Sequence, residues 1–185
     1  MKSISPATCT IIIMLLFPGW LFSQNKATYL GVNINAEAIS GNTLKPGAGL
    51  IAEHRFTKHS GIESGVYFRS LNKSFFIMNG SVFSTFKVSE KYLSIPLLYK
   101  FYSNIANISL GPTFDYYISW SQKNGNSTVN SYTVDPKLYY GVLVKLSKSI
   151  KLTQRIFLEP ELRLNPIINA DRSFFGAGIA TKIQL

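Results

Sequence analysis

The chain has 185 residues, of which 46% are hydrophobic, 14% aromatic and only 15% charged, with a formal net charge of +10. One ordinary domain fits that length, the charged share is well below the roughly 25% of a soluble domain, and a mean hydropathy of +0.12 is too low for a bundle of transmembrane helices. The basic residues are scattered singly rather than gathered in a run, which excludes nucleic acid as a partner.

Lys2 opens the chain with a positive charge. Ile11 to Phe17 is an apolar run, Pro18-Gly19 breaks it, and Leu21-Phe22-Ser23-Gln24 follows. This is the order of a secretory signal, and the run is shorter than the roughly 20 residues that span a bilayer as a helix. The expectation is a leader over 1–23, cleaved after Ser23, and a β-barrel domain over 24–185. The single cysteine, Cys9, precedes the apolar core, where no lipoprotein cysteine stands. It leaves with the leader, and the mature chain without thiols suits an oxidising compartment.

From Tyr29 onward the recurring pattern is period two, the signature of strands with two unlike faces. Tyr29–Ala38 sets Leu30, Val32, Ile34, Ala36 and Ala38 against Tyr29, Gly31, Asn33, Asn35 and Glu37. Lys45–Phe56 sets Ala48, Leu50 and Ala52 against Gly47, Gly49, Glu53 and Arg55. Ile62–Ser70 follows with Glu63 and Arg69 on its polar face, and Tyr92–Tyr102 with Leu93, Ile95, Leu97, Tyr99 and Phe101 on its apolar one. Ile108–Ser119 is the clearest, with Ile108, Leu110, Phe114, Tyr116 and Ile118 opposite Ser109, Gly111, Thr113 and Asp115. Leu138–Ser147, Ile156–Asn165 and Phe174–Leu185 complete a set of eight.

Short links near Lys58–Gly61, Ser103-Asn104 and Ser149–Thr153 alternate with longer ones over Ser40–Leu44, Leu71–Lys91, Gln122–Asp135 and Pro166–Arg172. An all-β, eight-stranded antiparallel up-and-down transmembrane barrel has this rhythm, with short turns on the periplasmic side and long loops outside.

Charge placement decides which face is inside. The polar faces carry Glu37, Glu53, Glu63, Asp115, Glu159 and Glu161, near-matched by Arg55, Arg69, Lys100, Lys145, Arg163 and Lys182. The apolar faces carry no charge in mid-strand. A Lys or Arg facing lipid costs roughly 2–4 kcal/mol at the bilayer midplane, and enclosed charges must be paired. The twelve residues are therefore expected to form a mutually neutralising network in a filled interior, since eight strands leave room only for side chains. No wide pore is expected.

Tyr29, Tyr92, Tyr99, Phe101, Tyr102, Tyr116, Trp120, Tyr140, Phe174 and Phe175 stand near strand ends, where interfacial girdles belong. Surplus bases fall on the links: Lys45, Lys73, Lys87, Lys91, Lys123, Lys137 and Arg172 outside, Lys58, Lys148, Lys151 and Arg155 within. The outer set would suit anionic lipopolysaccharide. Pro96, Pro112 and Pro160 lie inside strands, and proline cannot donate to the ladder, so bulges or gaps are expected there.

Tyr92-Leu-Ser-Ile-Pro-Leu-Leu-Tyr-Lys-Phe-Tyr102, Leu110-Gly-Pro-Thr-Phe-Asp-Tyr116 and the Gly-rich Phe175-Gly-Ala-Gly-Ile179 resemble the PorT-like "porin family" of small outer-membrane barrels of Bacteroidetes. The resemblance covers nearly all of the mature chain. It implies an eight-stranded barrel, transfers no catalytic residue, and links one member to protein secretion. Leu185 stands where a terminal aromatic is common in outer-membrane barrels.

His54 and His59 flank one short turn without a carboxylate or thiol at ligand spacing, so neither a metal nor a cofactor is expected. No phosphate-cradling loop or nucleophile elbow is present. The leading expectation is a non-enzymatic outer-membrane barrel in contact with lipid and lipopolysaccharide, acting through the loops Leu71–Lys91 and Gln122–Asp135. The alternatives are an accessory subunit of a secretion or envelope complex with a protein partner, a lipid-modifying enzyme, and a soluble periplasmic barrel with a dry interior for an apolar ligand.

Overall fold

The computed structural model describes residues 27–39, 44–79, 82–125, 133–170 and 172–185. The expected leader and part of the loop Gln122–Asp135 lie outside the described residues. The strands are β1 Ala27–Ile39, β2 Lys45–Arg55, β3 Ser60–Asn79, β4 Val82–Phe101, β5 Asn107–Gly125, β6 Leu138–Ser147, β7 Ile150–Lys151, β8 Ile156–Ile167 and β9 Arg172–Gln184.

Eight of them form one antiparallel ring in the order β6-β5-β4-β3-β2-β1-β9-β8, closed by pairing of β6 with β8. The two-residue β7 pairs only with the start of β8 inside a turn. Closure leaves no row of unpaired backbone groups along the wall, which a bilayer would punish at several kcal/mol per group. The termini of the ring, Ala27 and Gln184, lie at the end that carries the short turns, because β1 and β9 are neighbours and the strand count is even.

The prolines produce gaps in the ladder without a change of register. Pairing of β3 with β4 skips Gly65 and Val66 opposite Pro96 and Ile95, and the freed Pro96 carbonyl accepts from Ser64 Oγ at 2.8 Å. Pairing of β4 with β5 skips Leu97 and Leu98 opposite Pro112 and Gly111. Pro160 falls between the last β6–β8 pair and the first β7–β8 pair. A fourth gap, at Pro166, lies in the closing seam, where Asn165 Nδ2 donates to Val142 O at 2.9 Å. Among the described residues two bulges occur elsewhere, on the β4–β5 ladder at Lys87/Val88 and Lys91/Tyr92.

The segment Leu71–Lys91, expected to be a loop, is a hairpin. The β3–β4 ladder runs on from Ser70↔Lys91 to Asn79↔Val82, so that both strands have 20 residues. β5 likewise runs to Gly125 rather than ending near Ser119. A tilted strand crosses a bilayer in about 9–11 residues, so roughly half of each strand continues past the apolar belt as a ribbon. At its base Ser74 and Lys87 point out and are exposed, while Leu71 and Val88 point in and are buried.

Candidate functional site: a charged interior inside an apolar wall

The barrel is inside out relative to a soluble protein. Leu30, Val32 and Ile34 on β1, Leu50 on β2, Leu97 on β4 and Leu162 on β8 all face outward, Ile34 with 68% and Leu50 with 65% of its surface exposed. Contiguous exposed apolar surface on this scale is foreign to a soluble monomer. The neighbouring residues on the same strands point inward, and many of them are charged.

The inward charges form a continuous array along the barrel. At the turn end, Lys100 Nζ lies 2.9 Å from Glu53, 3.2 Å from Glu63 and 2.5 Å from Glu159. Lys182 Nζ meets the same three carboxylates at 2.6, 3.1 and 3.1 Å. Lys145 bridges upward from Glu63 (2.5 Å) to Glu161 (2.6 Å). In mid-barrel Arg163 lies between Glu161 (3.4 Å) and Glu37 (3.2 Å), and Arg69 between Glu37 (3.2 Å) and Asp115 (3.0 Å). Eleven of the twelve residues singled out from the polar faces thus stand in one network. Arg55 stands at its margin, its guanidinium 3.8 Å from the Tyr102 ring centroid, while Tyr102 Oη donates to Glu53 at 2.7 Å.

Sequence reasoning missed one carboxylate. Glu90 is fully buried and pairs with Lys73 at 2.8 Å and Arg172 at 3.9 Å, and it accepts a hydrogen bond from Tyr92 Oη. It was hidden in the segment read as a loop. Lys73 and Arg172, assigned to exposed loops, belong to this loop-end group instead. Arg172 lies 4.4 Å from the Tyr139 ring centroid and 5.2 Å from that of Tyr92. Around it Leu71, Tyr92, Val134, Tyr139, Ile167 and Phe174 form a small apolar core.

The aromatic girdle is correspondingly smaller than expected. Tyr99, Phe101, Tyr116, Tyr140 and Phe175 do face outward. Tyr29, Tyr92, Tyr102 and Phe174 are buried inside, and Trp120 is half-buried and stands in register with Glu90. Tyr92 and Tyr102 give their rings to packing and their hydroxyls to carboxylates of the interior, Glu90 and Glu53. That role cannot be told from a girdle by position near a strand end.

Glycines make the interior fit. A Cβ on Gly49 would come within 2.5 Å of Tyr67 Cδ1 and 2.7 Å of Val66 O. Tyr67 is almost wholly buried, with Arg163 4.6 Å from its ring centroid. Gly49→Val is therefore expected to destabilise the barrel by about 1–3 kcal/mol through overpacking, read as a lower urea midpoint of the reconstituted protein. The outward Ala48→Val on the same strand should leave that midpoint unchanged.

Glu53, Glu63 and Glu159 offer carboxylate oxygens within 4.8 Å of one another, a spacing that could hold a cation. The Lys100 and Lys182 ammoniums already contact all three. The cluster's negative charge is met from within the protein. His54 Nδ1 is 2.9 Å from Thr28 Oγ1, and His59 Nδ1 is 3.3 Å from Tyr102 O. Both histidines are at the turn end, on partners that complete the local backbone and side-chain bonding. The interior space found at this end is about 40 Å³, bordered by Tyr29, Glu53, Tyr102 and Lys182, which is room for a few waters at most.

No protein-family model and no curated protein matches the chain. Solved structures do. The outer membrane protein OprG of Pseudomonas aeruginosa superposes with a TM-score of 0.55 at 10% identity, over 87% of this chain and 97% of that one. Ail, the attachment invasion locus protein of Yersinia pestis, gives 0.50 at 11% identity, over 89% and 100%. A major outer membrane protein of Thermus thermophilus gives 0.50 at 12%, over 86% and 100%.

The fold is that of the small eight-stranded outer-membrane barrels. At this identity the shared feature is the ring itself, and the residues that fill it are this chain's own. A soluble barrel that carries an apolar ligand would need the opposite radial order, with an apolar lumen and a polar wall. The faces seen here run against that alternative.

Proposed function

We propose that this chain is an integral outer-membrane β-barrel, exported by the leader 1–23. It has no wide pore and no enzymatic activity, and it acts as a structural or interaction protein through its external ribbon. The single observation that carries this reading is the radial order of polarity: an exposed apolar belt around a paired, buried ion network. Belt residues such as Ile34 and Leu162 would meet lipid, and the bases beyond the belt, Lys87 and Lys91 among them, would meet lipopolysaccharide phosphates. The twelve polar-face residues, with Glu90, hold the barrel shut and rigid rather than perform chemistry. The resemblance of Tyr92–Tyr102 and Leu110–Tyr116 to the PorT-like barrels of Bacteroidetes supports the same placement.

A second role, as an accessory subunit of an envelope complex, is favoured by the β3–β4 ribbon, whose ladder continues to Asn79↔Val82 beyond the apolar belt on one side of the barrel. A protein that co-purifies with the wild-type chain and is lost when residues 74–87 are replaced by a short turn would establish it.

The reading is tested on outer-membrane fractions washed with urea and run on a gel with and without boiling. A wash-resistant band whose mobility changes on heating is expected of a compact integral barrel. A band that washes away, or that migrates identically in both lanes, would refute it.

A further inference from the structure

Beside the proline gap at Pro160 the outer wall is not smooth. A groove of about 360 Å³ is bordered by Ala106, Leu146, Lys148, Pro160, Leu162 and Ala177. It lies across β6, β8 and β9, next to the turn end. Its floor is low because Ala177 and the adjacent Gly178 carry little or no side chain there. Its sides are the outward leucines Leu146 and Leu162, both about half exposed. Lys148 N donates to Pro160 O at 3.2 Å, and proline has no N–H with which to return the bond.

The groove ends at a fixed cation. Lys148 is exposed, and its ammonium donates to the carbonyl of Asn104 across the neighbouring turn. That bond holds it at the groove mouth and leaves donors free. The other charged side chains exposed at this end, among the described residues, are Lys58, Lys151 and Arg155, all basic. Carboxylates near this end, Glu53 and Glu159, are turned inward and neutralised by lysines. An apolar groove open to the belt, with an ammonium at its mouth and only basic side chains exposed around that end, complements one ligand chemistry: an acyl chain joined to a headgroup of net negative charge.

We propose that this groove is a binding site for an anionic phospholipid of the inner leaflet, with one acyl chain between Leu146 and Leu162 and the phosphate on Lys148. The proposal rests on the outer-membrane reading above. It makes the bound lipid a specific ligand of the β6–β8 seam rather than part of a uniform annulus. Lipopolysaccharide belongs to the opposite end of the barrel and is not the occupant.

The test uses the full mature chain in a mild detergent, with dioleoyl-phosphatidylglycerol or dioleoyl-phosphatidylcholine added, and counts retained lipid by native mass spectrometry. One retained phosphatidylglycerol is expected, with retention at least about fivefold lower for phosphatidylcholine. Lys148→Gln and the groove-filling Ala177→Phe should each lower phosphatidylglycerol retention by a similar factor, and Lys58→Gln should not. Equal retention of both lipids, undiminished retention in Lys148→Gln and Ala177→Phe, or an equal loss in Lys58→Gln would overturn the site. Heat-dependent gel mobility of the same preparations reports folding separately. Its absence in a variant sends the comparison to the other variant, and its absence in the wild-type chain overturns the barrel reading itself and the site with it.

Discussion

Glu63→Gln is expected to lower the stability of the folded barrel by about 3–5 kcal/mol, the range for breaking a buried ion pair by removal of one partner. Glu63 is fully buried and contacts three ammoniums, Lys145 at 2.5 Å, Lys182 at 3.1 Å and Lys100 at 3.2 Å. Each of those lysines keeps another carboxylate: Glu161 for Lys145, and Glu53 and Glu159 for the other two. The neutral amide can accept a hydrogen bond but supplies no charge, so the three lysines face one another with less compensation. The measurement is urea unfolding of the protein in vesicles, followed by the fraction that keeps its fast gel mobility. Adding Lys145→Met should recover part of the loss, because the removed cation is the one Glu63 contacts most closely. If Glu63→Gln left the midpoint unchanged, the interior would not be a closed electrostatic unit.

Ile34→Arg is expected to cost about 2–4 kcal/mol in a bilayer, the cost of an arginine facing lipid near the midplane. Ile34 is central on the outward face of β1, in register with the outward Ala48 and Ile179 on either side. It has no carboxylate among those neighbours to pair with. In a water-soluble barrel the same substitution at a highly exposed site would change stability by no more than about 0.5 kcal/mol. The control is Ser74→Arg, outward on β3 but beyond the belt, which should stay within that small range in vesicles too. The difference between the two sites, measured on the same urea titration, reports where the membrane ends on the barrel.

How far the sequence carried the fold depends on the solvent around each strand. Where a strand crosses the belt, inside is polar and outside is apolar, and strict alternation such as Ile108 to Ile118 names both faces at once. The same alternation gathered eleven of twelve charges onto the array. Where β3 and β4 leave the belt, water lies outside the wall and the contrast fails. Ser70, Asn72 and Ser74 are polar on the outer face, Leu71 is apolar on the inner one, and Lys73 and Glu90 interrupt the inner series. A segment with that pattern resembles a loop when it is judged against the belt's polarity, and so the ribbon and Glu90 were missed together.

The inward tyrosines were illegible for a different reason. Tyr92 and Tyr102 sit on the polar face by register, but proximity to strand ends is shared by girdle residues and by residues that plug a barrel mouth. Only the partners separate the two, Glu90 for Tyr92 and Glu53 for Tyr102. The ladder gaps, by contrast, follow from the missing N–H alone, and Pro166 shows that the rule reaches a fourth proline in the closing seam.

The most direct test of the account is the radial polarity of β1 in a bilayer. The only cysteine in the sequence is Cys9, within the proposed leader, so single cysteines can be placed one at a time at the outward positions 30, 32 and 34 of β1, and at the outward Ser74 beyond the belt, and spin-labelled. In reconstituted vesicles, labels at 30, 32 and 34 are expected to collide freely with oxygen, which concentrates in the hydrocarbon, and little with a water-soluble nickel complex, whereas the label at 74 should meet nickel freely. Nickel access at 30, 32 and 34 equal to that at 74 would contradict the account and put that face of the barrel in water.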